Sequence, residues 1–247
     1  MNETLGTQKN RVRNISHMSL AFLGTSMLGL AFLTLLMFSS SPNTMQMQKQ
    51  LTVSIFWVIC IAGIVAAVSP TRCSKIFQHQ KAVDKGKGTN TDNAMIAFKG
   101  HHPACGSFTS HVIHFGDKVY CAGCTGLMIG AVISLVGSFW YVFSEVSLRE
   151  ANVFLFWSGF AGVACGLFQY VSFAKKASIH LFFDAFFVIG AFLLMVAVNE
   201  ISDNFVLELY LLILILFWII ARIMLSRGEH RRICSTCSIR GCASSPK

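Results

Sequence analysis

Charge is what this sequence has least of. Only 13% of its 247 residues are Asp, Glu, Lys or Arg, about half the share of a soluble domain. Proline is also scarce, with 4 residues, which excludes collagen-like and Pro-rich disordered chains. Hydrophobic residues make up 54%, including 22 Phe. So few charges could not cover so large an apolar core, and an ordinary cytosolic enzyme is excluded. Several catalytic signatures are missing as well: there is no Gly-x4-Gly-Lys-Ser/Thr, no His-Glu-x2-His and no Gly-x-Ser-x-Gly. ATP-driven transport within the chain and the commonest hydrolase chemistries are therefore not indicated. Nor is there an internal repeat of useful length, so the inverted-repeat signature of many transporters is absent.

Long apolar runs are what the sequence does have. A helix needs roughly 20 mostly apolar residues to span a bilayer. Six stretches qualify: 19–38, 51–68, 125–143, 151–173, 179–198 and 205–225. The expected fold class is an all-α integral membrane protein of six transmembrane helices, with a short cytoplasmic Cys/His-rich β-hairpin knuckle. Asp184 interrupts the fifth run, and Glu208 and Arg222 lie near the two ends of the sixth. The first run follows Lys9, Arg11 and Arg13 but is too long for a signal peptide, and it reads as a retained anchor.

Basic residues set the expected orientation. With the N-terminus in the cytoplasm, 18 of the 20 Lys and Arg fall on the inner side, and only Lys49 and Arg149 lie outside. Chains retain Lys and Arg inside, so both termini of this multi-pass cell-membrane protein are expected in the cytoplasm. The net charge of +9 mostly reflects that topology. A basic inner face attracts anionic lipid head groups and is open to a cytosolic protein partner. Nucleic acid is not an expected partner, because the 70–124 loop is only +4 and its Lys residues lack interleaved aromatics.

Four segments follow from these runs: 1–70, a two-helix hairpin; 71–94, a flexible cytoplasmic linker; 95–225, a four-helix core opening with a Cys/His-rich motif; and 226–247, a Cys-rich cytoplasmic tail. Gly126-x3-Gly130 and Gly162-x3-Gly166 would let helix backbones approach closely.

The chemistry lies in the 9 cysteines. Cys60 and Cys165 fall inside helices and read as packing residues. The other seven fall on the expected cytoplasmic side, where a reducing milieu disfavours structural disulfides. The densest constellation is His101, His102 and Cys105, followed by Cys121-Ala122-Gly123-Cys124. Two cysteines separated by two small residues can chelate one tetrahedral ion. The segments 110–115 and 118–121 flank Gly116-Asp117, a two-residue hairpin signal. A hairpin leading into such a knuckle resembles a zinc ribbon, and Cys105 with His101 or His102 would complete a Cys3His site. Zinc is the expected cofactor, and an iron–sulfur cluster is the alternative.

A second cluster, His230, Cys234, Cys237 and Cys242 with Cys73, could bind its own ion. Cys234 and Cys237 could instead join Cys121 and Cys124, or the juxtamembrane cysteines could be palmitoylated. His180 and Asp184 sit four apart on one face of the fifth helix. Three readings stand for that pair: Asp184 bonded to His180 or reached by Lys175 or Lys176, second-shell support for the metal, or a proton relay.

The stretch 100–131 (GHHPACGSFTSHVIHFGDKVYCAGCTGLMIGA) resembles a family of prokaryotic membrane proteins known as domain of unknown function 2085, in an archaeal-type variant. The shared elements are Cys105, Ser107-Phe108, Cys121, Cys124 and Thr125-Gly126, with Gln169 matching a polar position of the next helix. The resemblance implies a membrane location and this motif, and no reaction. The favoured function is a membrane protein with a cytoplasm-facing Cys/His metal site of structural or regulatory role. The alternative is a metal-dependent membrane enzyme, a transporter or a thiol-redox protein using the Cys pair and His180/Asp184.

Overall fold

A computed structural model describes residues 17–39, 46–68, 98–99, 111–115, 118–144, 149–169, 176–202 and 204–235. Within them lie α1 (His17–Ser39), α2 (Gln46–Val68), α3 (Ala122–Phe143), α4 (Asn152–Phe168), α5 (Ala177–Ser202) and α6 (Phe205–Ser235). All the helices except α4 are long and apolar enough to cross a membrane, and α4 is a shorter apolar helix of 17 residues. The chain is thus a mostly helical bundle, as the six apolar runs lead one to expect. The expected linker, 71–94, lies outside the described residues.

A small sheet precedes α3. It contains β1 (Phe98–Lys99), β2 (Val112–Phe115) and β3 (Lys118–Cys121) in the order β1-β3-β2. β2 and β3 are antiparallel, from Val112↔Cys121 to Phe115↔Lys118, which gives the hairpin expected around Gly116-Asp117. β1 runs parallel to β3 and was not foreseen, since two residues are too few to show a period.

Several helix ends depart from the expected spans: α2 begins five residues before 51, and α5 runs four residues past 198. α4 gives way at Gln169, its C-cap, and residues 170–173 of the expected span lie outside the described residues. α6 runs through Ser235, ten residues past the end of the expected apolar run at 225. The apolar count stops where charged residues begin. Helix hydrogen bonding does not, because Arg and Glu are good helix formers and one Gly costs only about 1 kcal/mol. The other end of α6 is set by Asn204, whose Oδ1 accepts the Val206 N–H at 3.0 Å, a typical N-cap bond.

α5 is the central helix, packed most closely against α4 and α3, while α1 leans on α6 and α2 on α3. The closeness comes from glycine. A Cβ at Gly126 would run into the Leu181 carbonyl oxygen, and one at Gly162 would lie 2.7 Å from that of Phe186. Glycine is therefore required on both flanks of α5, at both of the pairs the sequence singles out. All six helices contribute to one core, with Leu30, Phe56, Tyr141, Phe156, Leu194 and Trp218 among its buried members. The exterior is apolar as well: Leu28, Val58, Trp140, Phe154 and Val206 are each more than 60% exposed.

Candidate functional site

The site forms where the hairpin turns into α3. β3 delivers Cys121 to the N-cap position of that helix, with extended backbone and no side-chain capping bond. Cys124 follows in the first turn, and the two thiols are hydrogen-bonded to each other. Thr125 Oγ1 donates to the Cys121 carbonyl at 2.9 Å and secures the turn. Cys121 is buried and Cys124 half-buried. Neither is in a disulfide.

An ion pair lies beneath this turn. Arg222 of α6 grips Asp184 of α5 with both prongs of its guanidinium: Nη2 to Oδ2 at 2.8 Å and Nε to Oδ1 at 3.1 Å. Asp184 is 1% exposed and Arg222 9%. A Cβ at Gly123 would come within 3.0 Å of Asp184 Oδ2 and 3.4 Å of Arg222 Nη2. The backbone between the two cysteines therefore rests directly on the charged pair, and both charges act on Cys124.

Gln169, at the end of α4, ties the pair to a histidine. Its Nε2 donates to Asp184 Oδ1 at 2.5 Å and to the Gly166 carbonyl at 2.9 Å, while its Oε1 faces His180 Nδ1 at 3.2 Å. A carboxylate only accepts, so the amide must turn its NH2 to Asp184 and its oxygen to His180. That places a hydrogen on His180 Nδ1, facing the amide oxygen. The His180 ring in turn stacks on His111, just before β2, with centroids 5.0 Å apart and planes 26° apart. Thus α3, α4, α5, α6 and the hairpin all meet at this end of the bundle.

His180 and Asp184 share a buried face, as expected, but their direct pairing needs correction. Asp184 bonds to Arg222 and Gln169, and its link to His180 runs through the amide. An amide both donates and accepts, so it can bridge two groups, and the long Arg222 side chain reaches across from α6. Of the two lysines considered as partners, Lys175 lies outside the described residues and Lys176 forms no ion pair among them. Of the expected metal ligands, Cys121 and Cys124 are brought together. His101, His102, Cys105, Cys73, Cys237 and Cys242 lie outside the described residues, and His230 and Cys234 fall in the last turns of α6, where only the backbone is described. Among the described residues no group of three His, Cys, Asp or Glu is placed to hold a metal ion. Two soft thiols at chelating spacing nonetheless suit zinc as half of a four-donor set.

Sequence reasoning missed Arg222 and His111 as members of the site. The signal for Arg222 was present: two opposite charges embedded in apolar helices are usually partners. Nothing in the sequence marked His111. No family model matches the chain, and neither a curated protein nor a solved structure matches it.

Proposed function

We propose that the chain is a multi-pass membrane protein, with both termini in the cytoplasm, that holds a zinc ion in a Cys/His knuckle at the cytoplasmic mouth of its bundle. One observation carries the metal reading: Cys121 and Cys124 meet thiol to thiol at the junction of a hairpin and a helix, on a floor of buried charge. Chelation needs two donors held close without further ordering, and the turn supplies them. His101, His102 and Cys105 have the right chemistry to complete a tetrahedral set. The resemblance of 100–131 to domain of unknown function 2085 belongs to the same proposal.

The membrane reading is supported by helices long and apolar enough to cross, by an apolar exterior that lipid tails would solvate, and by the 18-to-2 division of Lys and Arg. The role of the knuckle is structural or regulatory. It presents a basic surface to anionic head groups or a cytosolic protein.

A thiol-redox role is the second reading. It is favoured by the position of Cys121 at the N-terminus of α3 with Cys124 in its first turn, which holds the two thiols against each other. One experiment separates the two. Purified full-length protein should carry about one zinc ion per chain, lost in Cys121→Ser and in Cys124→Ser. Metal-free protein in which mild oxidation joins these two thiols would favour the redox reading. An intense visible charge-transfer spectrum would point to iron–sulfur ligation.

A further inference from the structure

A second buried carboxylate lies at the opposite end of the bundle. Glu208, in the first turn of α6, is 2% exposed. Asn199 Nδ2 of α5 donates to its Oε1 at 2.6 Å, and the Thr52 hydroxyl of α2 donates to its Oε2. Both donors are neutral. Beyond Asn199 comes Tyr141 of α3, whose hydroxyl lies 2.6 Å from Asn199 Oδ1 and 2.9 Å from Glu200 Oε1. Lys49 of α2 ends the series, 3.8 Å from Glu200 and 3.7 Å above the Tyr141 ring.

Among the described contacts, two counts come out one short. In charge, Lys49 balances Glu200, and among the described residues Glu208 has no cation of its own. Asp184, equally buried at the other end, has Arg222. In hydrogens, the Tyr141 hydroxyl carries a single proton yet faces two acceptors, Asn199 Oδ1 and Glu200 Oε1. Turning the Asn199 amide over moves the shortage without curing it: its NH2 then serves Tyr141, and two bare oxygens face each other at Glu208. A buried carboxylate without a counter-charge is among the costliest groups an apolar interior can hold.

We propose that Glu208 is the anionic centre of a buried site for one monovalent cation, a proton or a sodium ion, with Thr52 and Asn199 as its neighbouring donors and Tyr141 behind Asn199. The chemistry is the same for either ion: one positive charge on a carboxylate of α6 beside a hydroxyl oxygen from α2 and an amide oxygen from α5. Such hard oxygen donors suit an alkali ion or a proton and not a soft metal. Asn199 also links the site to the rim. Which of its ends faces Glu208 decides whether the Tyr141 hydroxyl turns to Asn199 or to Glu200, so occupancy is felt at the Lys49–Glu200 pair. The site is independent of the zinc knuckle.

Thermal unfolding of the full chain in detergent tests this proposal in two arms. In the first, sodium chloride replaces choline chloride at fixed pH and ionic strength. In the second, pH is lowered in choline chloride alone. The wild type should gain about 2–4 °C in one arm, and the responding arm identifies the ion. Glu208→Gln, which keeps the shape and cancels the charge, should lose the response while Asp184→Asn keeps it. A wild type indifferent in both arms overturns the proposal, as does an unchanged response in Glu208→Gln. Should Glu208→Gln not fold, Thr52→Val must weaken the response, and an undiminished one overturns the proposal equally.

Discussion

Asp184 and Arg222 stabilise their end of the bundle only as a pair. Each is buried, and removing one partner leaves the other charge with no solvent to take its place. Asp184→Asn should cost about 3–5 kcal/mol, even though the amide can still bond to Gln169. Adding Arg222→Gln should recover much of that loss, because two neutral amides need no counter-charge. Chemical unfolding of the two single variants and the double variant checks this, and a double variant as unstable as the sum of the singles would show that the residues act separately. How far the sequence foretold this differs by residue. Asp184 stood out because a carboxylate in an apolar run has to be explained. Its partner was less visible, since α5 and α6 meet through packing that no local pattern encodes. Gln169 and His111 matter only through what they touch, and touch is not written in spacing.

Among the elements, those with a strong local period were the most legible. The hairpin showed itself because alternating residues flank Gly116-Asp117, and the long helices because their apolar runs reach the length a bilayer demands. The end of α6 was hidden, because hydropathy measures the solvent around a helix and not its hydrogen bonds. That extension bears on the tail cysteines. Cys234 lies twelve residues past Arg222, a rise of about 18 Å along the helix, and Arg222 marks where α6 meets the cysteine turn. A site shared between the tail and Cys121/Cys124 would require the end of α6 to unwind. Deleting residues 228–247 should therefore leave the zinc content of the purified protein unchanged. Loss of the metal on that truncation would show that tail and knuckle share one ion.

Among the described residues, the buried charges lie towards the two ends, and the middle is held by glycine-lined contact around α5. Composition and charge asymmetry indicated the type of molecule, but not that each end would carry its own buried carboxylate with opposite provision. One has a built-in cation. The other has only neutral donors. On the membrane reading, the first faces the cytoplasm and the second the outside.

α6 belongs to both ends, and this constrains it as a screw is constrained by two nuts. Glu208 and Arg222 are fourteen residues apart, close to four full turns at about 100° per residue, so the two anchors point nearly the same way. Their phase is as fixed as their separation. One alanine inserted between 212 and 216 would swing Arg222 about 100° away from Asp184 if Glu208 stays in place. Four would restore the phase to within about 40° while adding about 6 Å of length. The one-residue insertion should therefore lower the melting temperature more than the four-residue one. The reverse order would mean that length, and not rotational phase, governs how this helix is seated.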